Sequence, residues 1–114
     1  VQKAIGTSAE GEADRIKGLL ESRLARDDMS PILYSLYEIE GMIFGQRGRG
    51  KPEPEHLILT DRFLAGHRRR AQRLMEASRS RGVRAHVVGV KTAAGQRVEQ
   101  LGGMVLLTRP GVNR

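Results

Sequence analysis

One stretch near the end of the chain, Ala94 to Arg109 with the sequence AGQRVEQLGGMVLLTR, limits the possible folds more than any other. Its first half has the spacing of a short amphipathic helix, from Gly95 to Leu101. A Gly102-Gly103 pair follows, and the apolar run from Met104 to Thr108 then predicts a buried strand that ends on Arg109. A helix, a glycine hinge and a buried strand within so few residues are typical of the closing unit of a layered α/β fold.

The rest of the chain alternates helical and strand patterns in the same way. Helices are predicted after a capping box formed by Thr7 and Glu10, and over Leu36–Phe44, His67–Arg81 and Thr92–Leu101. Strands are predicted over Pro31–Tyr34, His56–Thr60, Val83–Val90 and Met104–Arg109. The loop Gly45–Glu55 and a turn at Asp61–Gly66 separate them, and Gly82 is predicted to cap a helix in the left-handed conformation. This order predicts an α/β sheet with helices on both faces.

Composition narrows the class of protein. With 114 residues, 39% of them hydrophobic, the chain is long enough for one globular domain. The absence of cysteine excludes disulfides and thiolate metal sites, and no long apolar run predicts a membrane span, so we expect a cytoplasmic protein. The net charge of +7 indicates either an anionic partner such as nucleic acid or simply an arginine-rich composition on solvated faces.

The loop from Gly45 to Lys51 spells GxxxxGK, the opening of a phosphate-binding P-loop. The motif requires a Ser or Thr next and a strand before it, but Pro52 follows here and a helix is predicted to precede. A nucleotide site is therefore not expected. The basic residues Arg47, Arg49 and Lys51 can still contact a phosphate backbone, and the alternative is a solvated loop.

A second basic cluster opens the helix that is predicted at His67. Arg68, Arg69 and Arg73 are the candidates for contact with RNA or the ribosome, with Arg69 and Arg73 neighbours at i,i+4. The alternative is again an ordinary solvated helix face.

No catalytic constellation is recognisable in the sequence. His56, His67 and His86 fall in three different predicted elements, so they do not form a metal-ligand pattern, and His86 is expected to be a packed, hydrogen-bonded strand residue. Glu53 and Glu55 have the setting of turn residues. We therefore predict that the chain is not an enzyme and holds no cofactor or metal.

Three stretches together resemble a known family. They are Tyr34-Ser35 followed by Glu38-Ile39, the run Leu57–Asp61, and the segment Ala94–Arg109 with its Leu101-Gly102-Gly103-Met104. On these residues the chain resembles, from about Gly11 to Pro110, the C-terminal (third) domain shared by Pelota and the archaeal and eukaryotic class-one release factors. We expect a domain over residues 9–110, with a flexible lead-in at 1–8 and a tail at 111–114.

The resemblance implies a three-layer α/β/α sandwich with a four-stranded mixed or mostly parallel sheet, similar to kink-turn-binding ribosomal proteins. It also implies a monomeric docking domain with no membrane partner. The implied partners are a translational GTPase of the elongation-factor-1-alpha type, the ribosome with its rRNA, and a recycling ATPase. The residues expected to bind a protein partner are Gly103, Leu106, Leu107 and Arg109, with Arg109 gripping a carboxylate or carbonyl at the end of its strand.

Three functions remain open at this point. The short region from Thr60 to Val90 is more similar to Pelota, a ribosome-rescue factor, than to a release factor, although the C-terminal domain of a release factor is the first alternative. The Gly-Gly-Gln motif by which release factors hydrolyse peptidyl-tRNA is absent, because Met104 follows Gly102-Gly103. The second alternative is a stand-alone kink-turn-type RNA-binding protein that uses the Gly45–Lys51 loop and the Arg68–Arg73 helix.

Overall fold

The computed structural model describes residues 8–25, 32–45 and 53–109, in which five helices and four strands are present. In chain order they are α1 (Ser8–Ala25), β1 (Ile32–Leu33), α2 (Leu36–Phe44), β2 (Glu53–Thr60), α3 (Asp61–Gly66), α4 (Arg68–Ser80), β3 (Arg84–Val88), α5 (Ala93–Gln100) and β4 (Met104–Arg109).

The four strands form one mixed sheet in the order β1-β4-β2-β3. β4 pairs antiparallel with both β1 and β2, whereas β2 and β3 are parallel. The last strand therefore lies inside the sheet. This arrangement confirms the mixed α/β/α fold.

The alternation of side chains along the two central strands divides the core into two layers. In β4, Met104 and Leu106 face one side of the sheet and Val105 and Leu107 face the other. The first side packs against the buried faces of α2 and α4, and the second packs against α1 and α5. On α4 the buried residues recur with the helical period, and they are Ala71, Leu74, Met75 and Ser78.

Three helices begin at a hydroxyl side chain. Ser35, Thr60 and Thr92 each have extended backbone, and each accepts a hydrogen bond from the amide three residues ahead. Such caps satisfy amides that lack a partner within the helix. The capping box predicted at Thr7 lies outside the described residues.

The glycine pair connects α5 to β4. Gly102 and Gly103 have φ angles of +114° and +95°, a region that favours glycine because it lacks a Cβ. The Gly103 amide donates to the carbonyl of Val98, and the Gly103 carbonyl accepts from the amide of Thr60. The pair thus ends the helix and aligns β4 beside β2, as the hinge interpretation predicts. Gly82 likewise has a φ of +79°, which confirms its predicted conformation.

Two predicted segments are wrong, and β3 is shorter than predicted, since it runs over Arg84–Val88 and not over Val83–Val90. Asp61–Gly66 is a helix and not a turn, because Thr60 caps it and the segment is too short to show a helical period. β2 begins at Glu53 and not at His56. Pro54 suggested a loop, but β3 pairs with β2 only from His56 onward. The first residues of β2 are therefore open on that side, and an irregularity between Pro54 and His56 accommodates the proline.

Candidate functional site

Three of the four Tyr and Phe side chains lie at the surface. Tyr37 is 83% exposed, Phe44 is 45% exposed and Tyr34 is 44% exposed, whereas Phe63 is partly buried against the core. Tyr37 and Phe44 are seven residues apart on α2 and so share a helix face. Large exposed aromatic side chains are typical of protein-binding surfaces, in which Tyr, Phe and Arg are enriched.

Arginines from α4 border these aromatic side chains. The Arg73 guanidinium carbon lies 5.9 Å from the centre of the Phe44 ring, within cation–π range. Arg70 donates from Nε and Nη2 to the two carboxylate oxygens of Glu40, at 3.1 and 2.7 Å. This hydrogen bond, opposed by slight burial, holds the pKa of Glu40 below its usual 4.5. We call Tyr37, Glu40, Phe44, Arg70 and Arg73 the aromatic–arginine surface.

The basic residues that were predicted to contact RNA or the ribosome lie partly within and partly outside the described residues. Arg68 and Arg69 are exposed at the start of α4, and neither forms an ion pair with another described residue. Arg73 lies over Phe44. Arg47, Arg49 and Lys51 lie outside the described residues. The segment before the GxxxxGK sequence is the helix α2, as predicted, and so it is not the strand that a P-loop requires.

The predicted partner-binding residues of β4 need correction. Leu106 and Leu107 are fully buried, one in each core layer, because β4 is flanked by strands on both sides. Gly103 is also buried and lies beneath the Phe63 ring. In this fold these three residues cannot touch a partner, and their role is to form the core and the turn.

Arg109 remains accessible at the end of β4, with 59% of its side chain exposed. Its Nε and Nη2 atoms donate to Oε1 of Glu53 at 3.2 and 2.9 Å. The Nη1 atom of Arg109 takes no part in these two bonds, so its N–H groups can donate to another acceptor. The interpretation of Glu53 as a turn residue is therefore wrong, since this carboxylate lies in β2 and orients the arginine.

Glu55 was also misassigned as a turn residue. Its carboxylate accepts from Arg23 of α1, and the same guanidinium donates to the Thr108 carbonyl at 2.7 Å. Burial raises the pKa of Glu55, but the hydrogen bond and charge of Arg23 outweigh that effect and leave it below 4.5. Arg23 thereby connects α1 to the two central strands.

The parallel pairing of β2 and β3 brings two histidines together. Nδ1 of His56 and Nε2 of His86 are 3.2 Å apart, and the rings stack with centroids 5.4 Å apart. Burial is the largest influence on the pKa of His56 and, with the charges of His86, Arg23 and Arg84, lowers it below 6.5 against the opposing effect of Glu55. Hydrogen bonding at His86 was predicted, but the pairing across strands was missed. The sequence alone could not show this contact, because it depends on the strand register. Ile58 is the direct partner of His86, and His56 lies two residues before Ile58 on the same strand.

Two further observations bear on the class of site. The described residues contain no group of three or more His, Cys, Asp or Glu side chains arranged to hold a metal. No helix in the described part of the chain combines the length and apolarity needed to cross a bilayer.

The geometry defines an α/β/α domain with exposed aromatic and arginine side chains, and solved structures of the same fold are known. The chain is 25% identical to archaeal Pelota in a model of ribosome-bound Pelota and ABCE1, with a TM-score of 0.71 over 94% of this chain. For Archaeoglobus fulgidus Pelota the identity is 22% and the TM-score is 0.74 over the whole chain. For S. cerevisiae Dom34, a translation termination-like factor that interacts with Hbs1, the identity is 22% and the TM-score is 0.64 over 96% of this chain.

These likenesses confirm the resemblance to Pelota, and they are consistent with its C-terminal domain. The chain spans only 28%, 34% and 29% of the lengths of these three proteins. No family model matches the chain. No curated protein matches it significantly in sequence.

Proposed function

We propose that the chain is a docking domain of a Pelota-type ribosome-rescue factor, which binds a translational GTPase and the ribosome and performs no catalysis itself. The observation that carries this proposal is the likeness to archaeal Pelota over 94% of the chain. That relative is described on the ribosome together with ABCE1, and the related Dom34 is described as interacting with Hbs1. A cytoplasmic location follows from this role.

The aromatic–arginine surface is the proposed docking site for the GTPase, of the elongation-factor-1-alpha type. Tyr37 and Phe44 supply apolar area that is already in place on a helix, so little side-chain entropy is lost on binding. Arg70 and Arg73 supply cations beside it, of which Arg70 is already held by Glu40. Rigid aromatic side chains with neighbouring arginines are the residue types that dominate binding energy in protein interfaces.

The first test removes the aromatic side chains. Tyr37→Ala and Phe44→Ala are each expected to weaken GTPase binding by about 2 kcal/mol, or roughly thirtyfold in Kd. Isothermal titration calorimetry with the purified GTPase in its GTP-bound form measures the change.

Val87→Ala is the matched control, because Val87 is an exposed apolar residue, 43% accessible, on the strand β3 outside this surface. An equal effect of all three substitutions would show that the aromatic side chains have no specific role.

Arg109 is proposed as a second contact with the same partner. Its Nη1 donors can bind a carboxylate or carbonyl while Glu53 orients the group. Arg109→Ala is expected to cost about 1–2 kcal/mol of GTPase binding, measured by the same calorimetry. Glu53→Gln, which keeps the arginine but loosens its orientation, is expected to cost less. An unchanged affinity for Arg109→Ala removes this residue from the docking site.

The exposed arginines of α4, Arg68, Arg69 and Arg73, together with Arg47, Arg49 and Lys51, are the proposed contacts with the ribosome. Phosphate contacts of this kind weaken steeply with salt. The double charge reversal Arg68→Glu with Arg69→Glu is expected to reduce ribosome co-sedimentation and to flatten its salt dependence. Retained GTPase binding in this variant is the control for folding. If the variant still co-sediments like the parent protein, α4 is not a ribosome contact.

A further inference from the structure

A polar cleft lies on the side of the sheet opposite to the aromatic–arginine surface. It has a volume of about 260 Å³ between α1 and the first residues of the β2–β3 pair. Its lining consists of Arg15, Ile16, Leu19, His56, Arg84 and His86. The floor is apolar, because Ile16 and Leu19 belong to the core layer under α1, and the polar groups are two arginines and the histidine pair.

The charge around this cleft is positive. No carboxylate is among its lining residues. Glu55 and Glu53, among the first residues of β2, are engaged by Arg23 and Arg109. Arg84 is exposed, and it forms no ion pair with a described residue. A guanidinium of this kind beside imidazoles is the usual protein environment for an oxyanion.

The histidine pair adds a donor that depends on protonation. With 3.2 Å between Nδ1 of His56 and Nε2 of His86, a neutral pair has room for one shared proton between the two nitrogens. The neutral pair carries two N–H protons, so one added proton makes one imidazolium and leaves an N–H donor on the outer nitrogen of each ring. Burial already disfavours charge on His56. An anion in the cleft would offset this cost, because the imidazolium then has a negative neighbour.

We propose that this cleft binds a phosphate group, which is held by the guanidinium groups of Arg15 and Arg84 and by the protonated His56–His86 pair. A divalent cation would meet two arginines there, whereas a phosphate meets donors on each polar wall. The phosphate group can come from RNA or from free phosphate, which present the same oxygens. The proposal does not depend on the docking function, because inorganic phosphate can bind without a protein partner. The aromatic–arginine surface lies on the opposite face of the sheet, whereas Arg109 adjoins the cleft beside His56 and Arg84.

The affinity is expected to rise as the pH falls. Four charged groups face the histidine pair: Arg15 and Arg23 from α1, Glu55 from β2 and Arg84 from β3. A fifth, Arg109 from β4, acts indirectly, because its charge lowers the pKa of Glu55. Four of these five are cations, and burial together with the charges of His86, Arg23 and Arg84 lowers the pKa of His56 in the free protein. Bound phosphate raises the pKa of the pair. Phosphate binding therefore strengthens as the pH falls from the pKa of the phosphate-bound pair to the pKa of the free pair. Below the pKa of the free pair, the affinity no longer changes with pH.

The test uses the 114-residue chain and NMR of its imidazole resonances. Inorganic phosphate and a single-stranded oligouridylate are titrated separately at constant ionic strength, at about pH 6 and about pH 8, on either side of the imidazole pKa. We expect the signals of His56 and His86 to shift saturably at the lower pH with both probes or with phosphate alone. In the titration with inorganic phosphate, His67, which is stacked on Phe63 just before α4, is the internal control and is expected to stay unchanged.

Two variants separate a site from bulk charge. Arg84→Gln is expected to weaken binding about tenfold, as for the loss of one charge-assisted contact. Arg79→Gln removes an equal charge from an exposed position on α4 and is expected to change it less than about twofold.

Equal effects of the two variants, or equal shifts of all three histidines, would overturn the proposal. If oligouridylate also saturates the cleft, the natural source is RNA. If phosphate alone saturates the cleft, the source is a free phosphate.

Discussion

Gly103 meets two independent requirements at one residue. Its φ of +95° lies in the region that side chains disfavour, and a Cβ added there would lie 2.8 Å from Cδ2 of the Phe63 ring. The backbone cannot shift to make room for a Cβ without a further cost, because the Gly103 carbonyl also accepts a hydrogen bond from the amide of Thr60.

Gly103→Ala is therefore expected to lower the free energy of unfolding by about 2–4 kcal/mol, from backbone strain and the displaced ring. Urea denaturation followed by circular dichroism measures this loss. Gly66→Ala is the control, since that glycine has open space around its Cβ position and no positive φ. Similar losses for the two variants would contradict the argument.

Prediction from the sequence succeeded for those residues whose environment is determined by the pattern of a single helix, strand or turn. The buried residues of α4 follow from its 3.6-residue period, and the bend at Gly102-Gly103 follows from two adjacent glycines. It failed for Arg109 with Glu53 and for His56 with His86, since each pair joins separate strands. Which residues meet across a sheet depends on strand order and register, and neither is encoded in local spacing.

At the scale of elements, the Arg23 side chain joins α1 to the sheet by polar contacts. Arg23 is almost fully buried and binds both the Glu55 carboxylate and the Thr108 carbonyl. Apolar residues of this helix, such as Ile16 and Leu20, pack in the core layer against the sheet.

Arg23→Met keeps the apolar stem and removes the charge, so it is expected to cost about 1–2 kcal/mol of stability at neutral pH. Because the pKa of Glu55 is lowered in the folded chain, its contribution is complete above the unfolded pKa and is lost as the pH falls through the folded one. The difference in melting temperature between the variant and the parent chain should therefore become smaller between about pH 7 and pH 3, and the part that comes from the Thr108 carbonyl should remain. A constant gap at all pH values would show that Glu55 has no part in the effect.

Among the elements, those with an uninterrupted pattern and a clear breaking residue were predicted best. α2 and β4 have the predicted bounds, because each is marked by an uninterrupted pattern and a breaking residue. α3 was missed because six residues are too few for a helical period. The start of β2 was missed because Pro54 ordinarily interrupts a strand, and only the absence of β3 beside it permits the proline.

At the scale of the whole molecule, β4 contributes to both core layers. Leu106 is buried under α2 and α4, and Leu107 is buried under α1 and α5. Neither layer can lose this strand without the other, so the described domain is expected to unfold in one cooperative step.

Leu106→Ala and Leu107→Ala are each expected to cost about 2–5 kcal/mol, the usual range for truncating a buried leucine. Native-state hydrogen exchange is the decisive measurement. In either variant, the slowly exchanging amides of α4 and α1 should lose protection by the same amount. If one helix keeps its protection while the other loses it, the two layers unfold independently.

The interior position of β4 also has a consequence for synthesis. The ribosome makes this strand after the other three, yet β1 has no described strand partner except β4, and β2 meets β1 only through it. A nascent chain that has emerged as far as α5 can pair β2 with β3 but leaves one side of β2 open to other chains. Translation that stops before Met104 would thus release a product with an exposed sheet edge and two unclosed apolar layers, and proteases would recognise it as unfolded.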